Sequence, residues 1–207
     1  MRTIDRALGD PARGFLAAAA TMALAVTMAL PTVAADDFPV TVVDAEGTEI
    51  TIEEMPERII SLAPSLTELL FAAGAGNQIV GVVEYSDYPP AARQVPVVGR
   101  HDLLDLERIV SLQPDLIVAW QTGNPQRAIR QLTNLGLRVY VAEPKSLQDV
   151  AQQLVRLGTL AGTATIATQT RDEFLQTLNQ LQARYGSQPP VDVFYPVWDA
   201  PLITAGG

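Results

Sequence analysis

The chain has 207 residues with 48% hydrophobic content, enough for one good core or a domain and a half. A net charge of −9 leaves no basic face for nucleic acid. The absence of cysteine excludes a disulfide frame, a thiol nucleophile and a lipid-bearing cysteine, and a lone histidine argues against a histidine-rich zinc or copper site.

Residues 1–35 read as an export signal. Arg2, Arg6 and Arg13 make a positive n-region, Phe15 to Leu30 is apolar and uncharged, and Val33-Ala34-Ala35 before Asp36 offers small residues to a signal peptidase. The alternative is an uncleaved anchor, but the apolar run falls short of the ~20 residues a spanning helix needs. Cleavage would remove three arginines and two aspartates, moving the net charge from −9 to −10. An exported, unlipidated chain is expected in a periplasm.

Residues 36–57 form an appendage. Val40 and Val42 alternate on one arm of a hairpin, Ile50 and Ile52 on the other, around Ala45-Glu46-Gly47. Residues 58–145 then alternate short apolar runs with helical patterns. Arg58 to Ala63 is a strand, and Pro64-Ser65 opens a helix with Leu66, Leu69, Leu70 and Ala73 on its apolar face. Ser65 with Glu68 three residues on predicts a capping box. Ile79 to Val83 is the next strand, Asp105 to Leu112 a helix, Leu116 to Ala119 a strand ending on Trp120, Gln126 to Leu135 a helix, and Leu137 to Ala142 a strand. This order predicts a parallel α/β lobe with right-handed crossovers.

The stretch from Gly81 to Asn124 organises that lobe. Strand ends, aromatics and turns alternate in it, so Tyr85, Tyr88, His101 and Trp120 are expected to gather at the carboxyl edge of the sheet, where open α/β sheets hold ligands. No nucleophile stands beside an obvious base, so the stretch reads as a site that holds something. Residues 146–186 are helical: Ser146 to Ala161 with Leu147, Val150, Leu154 and Leu157 on one face, then Thr163 to Tyr185 with Ala167, Phe174, Leu178, Leu181 and Tyr185 in register. Within residues 187–207, Val191 to Val197 is expected to begin a second α/β unit, which looks truncated after one strand.

The blocks RIISLAPSLTELLFAAG, GVVEYSDYPP, LERIVSLQPDLIVAW and QLTNLGLRVY resemble, in this order, the periplasmic binding proteins of ABC importers for cobalamin, haem and iron-siderophores. The resemblance implies two α/β lobes joined by a long rigid helix, here Thr163–Tyr185, with the ligand clamped between lobes and the second lobe largely missing. The segments Glu84–Pro90 and Ala119–Asn124 look most like the cobalamin-binding branch. A corrinoid is therefore the expected ligand, with haem or an iron-siderophore as the alternative. No resident cofactor or metal and no catalysis are expected, and the protein is expected to act as a monomer.

By this resemblance Tyr85 and Tyr88 supply an aromatic wall, while turn packing beside two prolines is the plainer reading. In the haem branch a tyrosine of this turn ligates iron, which keeps that role open for Tyr88. Trp120, at a strand end, is expected to line the cleft, with Trp198 and Asp199 facing it from the second lobe. His101 matches an aromatic that lines the cleft in the cobalamin branch; a solvated loop histidine and an axial metal ligand are the other readings. Arg100 suits an amide or propionate, or the surface. Glu107 matches the carboxylate that docks on arginines of the permease, although an acid at a helix start also favours the positive helix end. The competing enzyme reading has only Ser65, Asp87, His101 and Asp102 to draw on, without a G-x-S-x-G elbow.

Overall fold

The computed structural model describes residues 38–199 and 201–204; the expected export signal lies outside the described residues, as do the side chains of Trp198 and Asp199. Strands β1 (Val40–Val43) and β2 (Glu49–Ile52) pair antiparallel, with Val40 opposite Ile52 and Val42 opposite Ile50. Asp44 builds the turn: its Oδ1 accepts from the backbone N–H of Glu46 and Thr48 at 2.9 and 2.8 Å. The Ala45 N–H donates to Val141 O and ties this hairpin to the edge of the main sheet.

That sheet contains β3 (Ile59–Ser61), β4 (Ile79–Val82), β7 (Leu116–Trp120) and β8 (Val139–Ala142), all parallel, in the order β4-β3-β7-β8. Between them run α1 (Pro64–Ala72), the small hairpin β5 (Gly99–Arg100) and β6 (Leu103–Leu104), α2 (Leu106–Ser111) and α3 (Gln126–Asn134). Because successive strand residues point to opposite faces, the apolar runs fill two cores at once. Ile59, Leu116, Val118 and Tyr140 pack with Leu66 and Leu70 of α1 and with Leu154 and Leu157 of α4 (Leu147–Ala161). Ile60, Leu62, Ile117 and Val141 pack with Ile109 of α2 and with Ile129 and Leu132 of α3. Each fully buried Leu or Ile contributes roughly 1.5–3 kcal/mol, so this sandwich is a firm platform for its loops.

The start of α1 corrects the capping-box expectation. Ala63, not Ser65, is the N-cap, and no side chain caps it. Pro64 occupies the first turn and holds Ala63 extended at φ −148 and ψ 144, as a residue before proline must be. Ser65 is thus already inside the helix, and Glu68 is exposed on it.

Two glycines set the helical segment. Gly162 closes α4 in the left-handed region at φ 72. A Cβ on Gly158 would overlap the Ala167 methyl, so α4 and α5 (Ala164–Tyr185) approach closely there. The expected apolar face of α5 is buried only in part. Ala167 is fully buried, but Leu181 and Tyr185 are 49% and 53% exposed because the last turns of α5 run beyond α4. Leu147, at the start of α4, is exposed as well.

The expected strand Val191–Val197 is also corrected. Residues 191–195 are not in a strand; β9 (Pro196–Asp199) pairs antiparallel with β10 (Leu202–Thr204), with Leu202 opposite Asp199. A short connection suffices for antiparallel pairing, whereas a parallel partner needs a crossover of a dozen residues or more.

Candidate functional site

The chain leaves β3 toward α1 on one face of the sheet and leaves β7 toward α3 on the other. Their loops part at the carboxyl edge and open the crevice that open α/β sheets offer to ligands. The loop after β4 lies beside it.

That loop is a tight turn in which the Ser86 N–H donates to Val83 O at 3.3 Å. Tyr85 sits in it with φ 66, a region that disfavours a bulky side chain. Ser86 is buried and points inward, where the Thr67 hydroxyl lies 3.2 Å from Ser86 Oγ and 2.9 Å from Ser61 Oγ. This buried hydroxyl cluster anchors the turn to the ends of β3 and α1. The neighbouring aromatics are displayed instead: Tyr85 is 70% exposed and Tyr88 64%.

The second element at the edge is the β5–β6 hairpin, which carries His101 and Asp102 at its exposed turn. Gly99 starts it at φ 115, where a Cβ would come within 2.6 Å of Leu103 O, so only glycine fits. Gly99 O accepts from the Glu84 N–H at 2.9 Å, which joins this hairpin to the Tyr85 turn. Arg100 is committed: its guanidinium makes two hydrogen bonds to the Asp102 carboxylate. Arg100 thereby holds the Asp102 carboxyl below the usual carboxylate range.

The third element is the end of β7. Trp120 is half-buried and packs against the α1–α4 core, its indole lying where a Cβ on Gly123 would be. Asn124 follows and is buried. Its Nδ2 donates to Leu62 O and His101 O, both at 2.8 Å, and its Oδ1 accepts from the Trp120 N–H at 2.6 Å. Thr122 donates to Glu143 from both its N–H and its hydroxyl, tying the loops after β7 and β8 together.

Tyr85, Tyr88, His101 and Trp120 are therefore on linked loops at one sheet edge. Glu107 stands apart from them, exposed in the first turn of α2, behind an Asp105 N-cap whose side chain accepts from the Arg108 N–H at 3.0 Å. Trp198 and Asp199 are on β9, but their side chains lie outside the described residues. A depression of about 560 Å³ opens at the opposite, amino edge, lined by Glu53, Glu54, Glu57, Asp115 and Arg138. Asp115 is used there structurally, accepting from the N–H groups of Glu57 and Arg58 at 2.9 Å. Sequence reasoning missed Asn124 and Ser86. An asparagine in a Thr-Gly-Asn-Pro turn reads as a turn residue, and only its distant partners reveal more.

Comparison with known proteins agrees with this architecture. A family model described as periplasmic binding protein matches residues 59–206. The vitamin B12-binding protein of Vibrio cholerae serotype O1 is 40% identical over 148 residues, 72% of this chain and 54% of that protein. That of Photorhabdus laumondii is 39% identical over 152 residues, 73% of this chain and 55% of that protein. The crystal structure of the periplasmic vitamin B12-binding protein of Vibrio cholerae superposes with a TM-score of 0.68 at 39% identity, covering 72% of this chain and 59% of the other. A periplasmic haem-binding protein from Pseudomonas aeruginosa gives 0.61 at 29% identity, covering 68% and 52%. The chain spans about half the length of the curated relatives it matches. With the parallel sheet, the long helices and the family match over residues 59–206 in agreement, the chain belongs to the periplasmic binding protein family.

Proposed function

We propose that this chain is the substrate-binding component of an ABC importer, and that it holds a corrinoid against the carboxyl edge of its sheet without transforming it. The observation that carries the reading is the display of Tyr85 and Tyr88, with half-buried Trp120, on linked loops at that edge. A flat, weakly charged macrocycle is matched by exposed aromatic faces, and stacking adds ~0.5–1.5 kcal/mol beyond burial of area. Relatives at about 40% identity carry the name vitamin B12-binding protein, which favours the same ligand. This lobe supplies one wall; Trp198 and Asp199 belong to the opposite one. The protein is exported through cleavage of residues 1–35, works as a monomer in the periplasm, and presents Glu107 to basic residues of the permease.

Calorimetric titration of cyanocobalamin into the protein with both lobes supplied tests the reading. Binding is expected, and Tyr85→Ala and Trp120→Ala should each weaken it about tenfold or more. No heat from the parent protein, or unchanged affinity in both variants, would remove this edge as the site. Haem is the second reading, favoured by the exposed Tyr88 phenol and by the haem-binding relative. A Soret band on adding haemin that Tyr88→Phe abolishes would select it.

A further inference from the structure

A single buried side-chain amide bridges the carboxyl ends of β3 and β7. Asn124 is only 4% exposed, and its three partners are backbone groups on three separate segments: Leu62 after β3, His101 in the hairpin turn, and Trp120 in β7. Only one orientation of the amide serves them, since exchanging N and O would set an oxygen against two carbonyls and an NH2 against an N–H. Aspartate of the same length lacks the two donors, and serine is too short to serve all three partners.

The segment held at His101 is not one the core needs. Arg100, His101, Asp102 and Leu103 are all exposed, and the β5–β6 ladder is two residues long on each side. A buried bond that fixes such a turn serves whatever the turn faces. Both amide hydrogens of Asn124 are already used, so the side chain is committed to the protein and not to a ligand.

We propose that Asn124 is a positioning residue for ligand binding. It fixes the separation of Trp120 from the His101 turn, and through the Glu84–Gly99 bond it registers the Tyr85 turn to the same frame, so that a macrocycle meets a preformed surface. This inference rests on the corrinoid reading above, but its first test needs no ligand.

Asn124→Asp and Asn124→Ser are prepared in the full chain and compared with the parent by amide hydrogen exchange and thermal unfolding and, with both lobes supplied, by cyanocobalamin titration. Exchange at residues 99–104 should rise about tenfold in both variants while amides of β3, β4 and β8 keep their protection, the pattern of a lost local bond. The Trp120 N–H should stay protected in Asn124→Asp, which keeps the acceptor. Cyanocobalamin affinity should fall about tenfold, chiefly through faster dissociation. Unchanged exchange at 99–104, uniformly faster exchange across the sheet, or parental affinity in a variant with a loosened hairpin would overturn the proposal. If Asn124→Asp does not fold, Asn124→Ser decides by the same criteria. If the parent binds no cyanocobalamin, the ligand reading fails by itself. The exchange pattern then decides the clamp: a local rise upholds it and no rise overturns it.

Discussion

Replacing Tyr85 separates a structural tyrosine from one held in place for binding. The residue has φ 66 and a side chain left 70% exposed. A left-handed backbone costs an L-residue with a Cβ about 1–2 kcal/mol. Glycine releases that cost but loses ~0.5–1 kcal/mol through the freedom it gains in the unfolded chain. Loss of the covered third of the ring takes away about 1–1.5 kcal/mol more at ~25 cal/mol per Å². Tyr85→Gly should therefore change stability by no more than about 1.5 kcal/mol, against the 3–5 kcal/mol usual for a buried aromatic. Tyr85→Ala keeps the strained backbone and loses the ring, so it should be less stable than Tyr85→Gly, the reverse of the usual order. Chemical denaturation of the three proteins measures this, and titration with cyanocobalamin should show both variants weakened about tenfold. If glycine proves the less stable of the two, the positive φ stores no strain. If either variant binds as the parent does, Tyr85 is not part of the wall.

Gly99→Ala should cost about 1–3 kcal/mol, or melt the 99–104 hairpin alone, since the new methyl meets Leu103 O at φ 115; urea unfolding with exchange at His101 distinguishes the two. Glu107→Arg should leave folding and ligand affinity intact while impairing uptake, and Glu68→Arg, exposed on α1, should stay within about 0.5 kcal/mol of the parent because it caps nothing. Normal transport with Glu107→Arg would reduce Glu107 to an ordinary helix-end acid. The carboxyl of Asp102 should titrate below the usual ~3.9, and Arg100→Gln should return it to that range; carbon NMR of the carboxyl reads both. Because the folded value is the lower one, the Arg100–Asp102 contact is complete above the ordinary carboxylate range and is lost only as pH falls through the depressed value, so it should not vary between pH 5 and 8.

The sheet was legible because its strands carry apolar residues on both faces. Runs such as Leu116–Ala119 between helical periods of Leu and Ile allow few other folds, and the parallel order followed from the crossovers. The loops holding Tyr85, His101 and Trp120 were legible as strand ends. What failed was local or distant. Proline placed the N-cap of α1 at Ala63, two residues upstream of the serine that looked like its cap. Leu181 and Tyr185 kept a helical spacing, but spacing cannot say whether anything packs on the far turns. Val191–Val197 has the composition of a strand, while pairing depends on a partner. Asn124 was hidden for a different reason: its partners Leu62 and His101 are far along the chain, so no local pattern marks it.

The joint between α4 and α5 has a mechanical consequence. With no Cβ on Gly158, the two helices touch through the Ala167 methyl, and Gly162 turns the chain between them. The 22 residues of α5 start at that joint, and its last turns run past α4 as a free end. At a rise of 1.5 Å per residue the beam is ~33 Å long, so a tilt of about 5° at its root sweeps the far end by ~3 Å. Stiffness at the root therefore matters more than stiffness along the beam, and one added methyl at position 158, wedged at the fulcrum, would be magnified into a displacement as large as an atom at Tyr185.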